Sequence, residues 1–257
     1  MIQHTDPQQL TQPHIMLEIR LPEIATDSDS RQAYDDLYTE GDISQRDSFY
    51  LWLSDLFALR PGEQYLDISC GRVMLPYLAH SKGAIAHGLD LSHAALKAGH
   101  ASTGISNLVT ANSQILPYAN NSFDVISNIG SLEHYVDMHA AILEMTRVLR
   151  PGGRAYVLVP NTFSLTTNIL LALRQGRTSI DSQPIQRYAA RQEWQTLIES
   201  YGLTVEKTYK YEREWPRTRT DWGYYLRHPK DMIRLLFSPL VPLNLAFCFL
   251  FVARKPA

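Results

Sequence analysis

Between Gln64 and Pro160 the chain alternates short apolar runs with segments of helical spacing, and few folds tolerate that rhythm. The runs QYLDI, AIAHGLD, NLVT, FDVISNI and RAYVLVP have the length and apolar content of buried strands. Helical patterns lie between them, from Met74 to Ala79, Ala94 to His100 and Met138 to Leu149. In the last of these, Met138, Ala141, Ile142, Met145, Val148 and Leu149 recur at three-and-four spacing, and Pro151-Gly152-Gly153 ends the pattern. Strand and helix in repeated alternation predict an α/β fold, a Rossmann-like doubly wound sheet that is mostly parallel, with helices on both faces.

The flanks extend this core. Ser48 to Leu59, SFYLWLSDLFAL, has the spacing of a leading helix and stops near Arg60-Pro61-Gly62. A helix from Gln192 to Tyr201 followed by LTVEKTYKY supplies a sixth strand, and Leu245 to Val252 a seventh. The polar, proline-bearing residues 1–30 are expected as a loose arm, and residues 31–257 as one domain with insertions at about 162–183 and 212–242. The net charge of -2 gives no bias toward polyanions, so nucleic acid is not an expected partner. Cys70 and Cys248 form no CxxC or zinc spacing, and the polar start lacks a secretory pattern; both point to a cytoplasmic protein with free thiols and no bound metal.

The apolar stretch Leu235 to Ala253, LLFSPLVPLNLAFCFLFVA, has the length of a membrane span. Pro239 and Pro242 interrupt it, because each removes a helix hydrogen bond and clashes with the preceding turn. A helix ending at Phe237 and a buried strand from Leu245 are expected instead, and peripheral membrane contact stays open.

In a parallel sheet of this kind, ligands bind outside the carboxyl ends of the strands at the switch point. YLDISCGRV occupies that place: Asp67 ends the first strand, Gly71 lets backbone approach a ligand, and a helix starts near Arg72. Asp90 ends the second strand, where a carboxylate can accept from both ribose hydroxyls. A nicotinamide dinucleotide calls for GxGxxG, and this loop has a single glycine, so a nucleoside-type ligand fits better.

At these residues the sequence resembles the class I S-adenosylmethionine-dependent methyltransferases, in particular the small-molecule, type 11-like branch. The resemblance runs through YLDISCG, GLDLS, ANSQILPYANNSFDVI, SLEHYVD and LRPGGRAYVLVPN, in order and at compatible spacing, and covers roughly Tyr65 to Asn161. It implies S-adenosylmethionine as cofactor, S-adenosylhomocysteine as product, a small-molecule acceptor and an antiparallel last strand. Carried over by position, it implies cofactor contacts from Asp67, Ser69, Gly71, Asp90, Leu91, Asn112, Ser113, Asn128 and Ile129. Family loops usually carry glycine where this chain has Ser69 and often again at Val73, and an acidic residue at Asn112. Ser69 adds a small side chain that is tolerated if its backbone angles are ordinary, and Val73 is expected to crowd the first turn of the helix near the cofactor.

Methyl transfer needs mainly alignment and a dry pocket, with a base where the acceptor carries a proton. His134, after the fourth strand, is the candidate catalytic base; its alternative role is to cap the next helix or bond a backbone carbonyl. Cys70 is expected to pack beneath the loop rather than act as a nucleophile, and His80, His87, His93 and His100 to face solvent. The segment AYDDLYTEGDI forms either a lid bringing Tyr34 or Tyr38 to the sulfonium or a packed aromatic helix. Arginines and aromatics in the insert from Glu212 to Pro242 suit an anionic, sugar-bearing or lipid-linked acceptor, and equally a solvated surface. Two other functions remain: a methyltransferase-like scaffold without turnover, and an enzyme using a related adenosyl cofactor for a different transfer.

Overall fold

The computed structural model describes residues 17–41, 44–180 and 183–257. Its centre is a seven-stranded sheet built from β2 (Gln64–Ile68), β3 (Ile85–Asp90), β4 (Leu108–Thr110), β5 (Phe123–Ile129), β6 (Leu149–Pro160), β8 (Thr204–Tyr211) and β9 (Cys248–Arg254), in the order β4-β3-β2-β5-β6-β9-β8. The first five of that order are parallel, and β9 enters antiparallel between β6 and β8. This is the doubly wound sheet expected, including its reversed last strand. The strand order reverses between β2 and β5, which fixes the ligand crevice at their carboxyl ends.

Alternation along the strands divides the core between the two sheet faces. On one face, Leu66 and Ile68 of β2 pack with Met138, Ile142 and Met145 of α5 (Met138–Val148) and Trp194 of α7 (Arg191–Glu199). On the other, Tyr65 and Val125 pack with Phe49, Leu53 and Phe57 of α2 (Asp47–Phe57) and Leu75 of α3 (Met74–Ser81). Up to Ala253, β9 is apolar and covered on both sides, which accounts for the long hydrophobic stretch. Leu235 to Ala253 divides as expected into the end of a helix, α9 (Pro229–Phe237), two short turns and β9. Among the described residues no helix is long and apolar enough to cross a membrane.

The amino-terminal region departs from expectation. Residues 1–16 lie outside the description, but within the expected loose arm β1 (Leu17–Arg20) pairs antiparallel with β7 (Ile185–Tyr188), and α1 (Asp27–Glu40) begins at a capping box. Thr26 accepts from the Asp29 backbone while the Asp29 carboxylate accepts from the Thr26 backbone, so two otherwise orphaned donors are satisfied. The first expected insertion contains a π-helical turn, Leu165–Ile169, and α6 (Leu170–Gln175). The second carries α8 (Arg219–Arg227) and α9. Between β3 and β4 runs α4 (His93–Thr103).

Candidate active site

A cavity of about 630 Å³ opens at the switch point. Asp67, Ser69, Gly71, Asp90, Leu91, Asn112, Ser113, Ile129 and His134 all line it. Asn128 does not line it: fully buried, its Nδ2 donates to the Ile68 carbonyl and to the Tyr135 hydroxyl, behind the wall.

The loop after β2 is held by the strand beside it. The Cys70 amide donates to Leu89 O at 2.9 Å, and the Gly71 amide donates to Asp90 Oδ2 at 2.8 Å. Asp90 Oδ1 accepts from the Ser92 amide at 2.8 Å, so the carboxylate pins both turns while lining the cavity. The Leu91 amide also donates to this carboxylate, which leaves one of its roughly four lone-pair sites for a ligand hydroxyl. Gly71 has φ +51°, and a Cβ there would stand 2.7 Å from the Tyr38 hydroxyl. Any other residue in that cradle would have to push the Tyr38 ring aside and adopt a strained left-handed backbone.

The condition set on Ser69 is not met, and the expectation for Val73 is corrected. Ser69 takes φ +61°, a left-handed backbone that costs a non-glycine residue roughly 1–2 kcal/mol. Its Oγ is bonded to the Tyr135 hydroxyl at 2.7 Å and to Ser113 Oγ at 3.3 Å, contacts that a glycine would lack. Val73 also has positive φ, +69°, but turns away from the cavity to pack with Cys70, Leu96 and Ile105. Space for it comes from Gly99 of α4, where a Cβ would lie 2.3 Å from Val73 Cγ2.

The cofactor end of the cavity is acidic and dry. Burial pushes Asp67 up to about 7, despite a hydrogen bond from Ser127, and Asp90 up to about 6, despite its backbone donors. Two buried carboxylates that resist ionisation favour a cationic ligand, whose charge would stabilise their anionic forms. Burial likewise raises the Cys70 thiol far above its ordinary value, which leaves it protonated and inert, packed beneath the loop as expected.

Helix α1 covers this end, with Tyr34 and Tyr38 in the cavity wall. Ser92 Oγ donates to Asp35, and Arg72 Nη2 donates to the Gly41 carbonyl. Asp27 accepts from Asn112 Nδ2 at 2.7 Å and from Gln114 Nε2 at 2.6 Å. The last two residues of AYDDLYTEGDI, 42 and 43, lie outside the description.

His134 sits in a 3-10 turn, Leu132–His134, and is buried. Its Nδ1 donates to the Ile185 carbonyl and its Nε2 lies 3.7 Å from Glu133 Oε1. Burial lowers the imidazole to about 4, so it is neutral at physiological pH with Nε2 as its acceptor. The carbonyl bond weighed as its alternative role is present. His80, His93 and His100 are exposed; His87 is half-buried, against Tyr118 and Phe123. Tyr135 was not anticipated, although it joins Ser69 and Asn128. Nor was Arg187, which donates from Nη1 to the Tyr135 carbonyl and from Nε to Glu18 of β1.

At the far end, Arg213, Arg234, Tyr211, Phe247 and Asn168 complete the cavity wall. Asn168 is buried in the π-helical turn and its Oδ1 has no hydrogen-bond partner. Among the described residues no cluster of His, Cys, Asp and Glu could hold a metal.

Sheet order, crevice and loop together define a Rossmann-like methyltransferase fold. Residues 66–157 match the family described as "Methyltransferase domain", type 11. Over that matched stretch the sequence is similar to the class I S-adenosylmethionine-dependent methyltransferases. It is 29% identical over 164 residues to the ubiquinone/menaquinone biosynthesis C-methyltransferase UbiE of Cereibacter sphaeroides, covering 58% of this chain and 64% of that one. It is 40% identical over 156 residues to methyltransferase GfsG of Streptomyces halstedii, covering 56% and 54%. The match thus spans about half the length of the curated relatives. Geranyl diphosphate C-methyltransferase from Streptomyces coelicolor superposes with a TM-score of 0.61 at 14% identity, over 91% of this chain and all of that one, and shows the shared fold. The family's cofactor is S-adenosylmethionine, and the Gly71 cradle, the remaining lone-pair site of Asp90 and the acidic end of the cavity fit it.

Proposed function

We propose that the protein is a methyltransferase that uses S-adenosylmethionine to methylate a small-molecule acceptor. One observation carries this reading: a single cavity joins the Asp90–Gly71 cofactor loop to a chamber lined by Tyr211, Phe247, Arg213 and Arg234. The cofactor, when bound, supplies an electrophilic methyl group on a positively charged sulfur. With it bound, Asp90 would accept from a ribose hydroxyl, Asp67 would face the cation, and the Asn112–Asp27 pair would meet the adenine side. Helix α1 excludes water. His134 Nε2, neutral and in the cavity wall, takes the acceptor proton.

The chamber mixes aromatic faces with guanidinium groups, which suits an acceptor with an apolar body and an anionic or sugar-like group. Two insertions into one domain, at about 162–183 and 212–242, contribute Asn168, Arg213 and Arg234 to that chamber; residues 181 and 182 of the first lie outside the description. The names of UbiE and GfsG, a quinone-biosynthesis C-methyltransferase and a methyltransferase, support a small organic acceptor. Free, buried Cys70 and Cys248 support a cytoplasmic setting.

Calorimetric titration of S-adenosylmethionine and S-adenosylhomocysteine into wild type and Asp90→Ala tests the cofactor assignment. Micromolar binding to the wild type that is lost in the folded variant is expected. Failure of the folded wild type to bind either compound would sink the reading in favour of a scaffold.

A further inference from the structure

Helix α9 turns its polar side inward. Leu235 is buried, Asp231 accepts from Arg213 at 2.9 Å and from the Tyr224 hydroxyl at 2.6 Å, and Arg234 donates to the Thr166 carbonyl at 2.7 Å. The residues facing solvent are Ile233, Leu236 and Phe237, followed by Leu240 in the next turn, exposed by 55%, 55%, 60% and 75%. Ile233, Leu236 and Phe237, at i, i+3 and i+4 of α9, share one face as a stripe, and the exposed Leu240 follows in the 3-10 turn Ser238–Leu240. A surface helix ordinarily buries such a stripe, so this one is shaped for something outside the chain.

Charge around the stripe narrows what that is. In residues 215–247 the exposed charged side chains are Arg217, which is paired with Asp55, and Arg219, Arg227 and Lys230, all cationic. The carboxylates of the same segment are withdrawn: Asp221 is buried against the Ser48 amide, and Asp231 is paired with Arg213. Leu173 and Arg174 of α6, on the segment that Arg234 ties to α9, add an apolar and a cationic side chain, both exposed. A two-fold pairing of two copies through the stripe would bring these cations together, which disfavours self-association. Apolar side chains flanked by Lys and Arg suit the interface of an anionic bilayer.

We infer that the stripe Ile233, Leu236, Phe237 and Leu240 docks the protein on an anionic lipid surface, with Arg227 and Lys230 among the headgroups. Arg213, Arg234 and Phe247 belong to the same stretch of chain and line the cavity, so docking brings the acceptor end of the site to the membrane. An acceptor with a long apolar tail then reaches the cavity without crossing water. The inference rests on the methyltransferase reading only for what docking delivers.

Flotation of the full chain with phosphatidylglycerol vesicles, without cofactor or acceptor, is the test. Binding to these vesicles, weaker on phosphatidylcholine and reduced by salt, is expected. Ile233→Ser with Phe237→Ser should lower partitioning by at least about tenfold per side chain. Arg227→Gln with Lys230→Gln should lower it about fivefold per charge and flatten the salt dependence. S-adenosylhomocysteine binding, unchanged in both variants, verifies their fold. Absence of binding to anionic vesicles, or equal binding by wild type and the serine variant, overturns the inference. So does a concentration-dependent dimer in sedimentation that Phe237→Ser dissolves, which would make the stripe an interface between copies. Because flotation uses no cofactor, its failure leaves methyl transfer standing, and failed cofactor binding leaves docking standing.

Discussion

Asn112 Nδ2 donates to Asp27 Oδ2 at 2.7 Å, so the amide standing where the family usually carries an acid is paired with an acid from α1. Gln114 Nε2 donates to the other oxygen of Asp27 at 2.6 Å. On the proposed reading, the adenine side of the crevice keeps a carboxylate, supplied by the covering helix instead of the loop. Asp27→Ala should weaken S-adenosylhomocysteine binding by roughly 10- to 100-fold, the equivalent of a lost charged hydrogen bond of about 1.5–3 kcal/mol. Calorimetry checks this, with the thermal midpoint showing that α1 remains docked; unchanged affinity would mean that Asp27 only anchors the lid.

The buried acids make the site a pH sensor for its own ligand. Asp67 and Asp90, at about 7 and about 6, hold protons that the unfolded chain, with ordinary carboxylates, has released. Their folded values are raised, so their contribution to stability is fully present below about pH 4 and is lost as pH rises through 6 and 7. Asp67→Asn removes one of these groups, and the variant's stability relative to wild type should increase from pH 5 to pH 8. Urea midpoints across that range would reveal it, and a flat difference would contradict it. A cationic ligand favours the ionised pair, so S-adenosylmethionine binding at pH 6.5 should release protons, measured as a dependence of calorimetric enthalpy on buffer ionisation.

Gly99 and Val73 are coupled across the loop. A Cβ on Gly99 would lie 2.3 Å from Val73 Cγ2 and 2.8 Å from the Arg72 carbonyl carbon. Gly99→Ala should cost about 1–3 kcal/mol, the usual range for overpacking. In a Val73→Ala background the cost should fall but not vanish, because the Arg72 backbone stays. A double-mutant cycle in urea that shows simple additivity would rule out the contact.

The sheet was legible because its signal is local and periodic. Phe123 to Ile129 and Gln64 to Ile68 appear as strands with the expected bounds, and Pro151-Gly152-Gly153 marks where α5 has given way to β6. The β1–β7 ribbon was not legible. LEIR and IQRY are four residues each and have their pairing partner over 160 residues away, and neither carries an apolar run. The same distance hid Arg187, whose bond to Glu18 exists only once that ribbon forms. That Asp67, Gly71 and Asp90 line the cavity was legible because they sit at or just after strand ends, a position the alternation itself predicts. Tyr135 escaped because its role depends on meeting Ser69 and Asn128 from two other elements. The helical covering of the loop was readable in AYDDLYTEGDI, but the bond of Asp27 to Asn112 was not, since it joins residues 85 apart.

His134 presents two separable roles on its two nitrogens. Nδ1 donates to Ile185 O and so ties the turn after β5 to β7, whereas Nε2 faces Glu133 in the cavity wall. His134→Asn keeps a short donor for the carbonyl and removes Nε2. If Nε2 takes the acceptor proton, kcat should fall by about 10²–10⁴ with KM for S-adenosylmethionine little changed. The imidazole is held to about 4 by burial, so loss of activity through its protonation belongs near pH 4. A limb in the wild-type profile between pH 6 and 7 should instead follow Asp67 and Asp90, and persist in His134→Asn at the lower rate. Full activity in that variant would leave His134 with its carbonyl bond alone, and would move the search for a base to the acceptor itself.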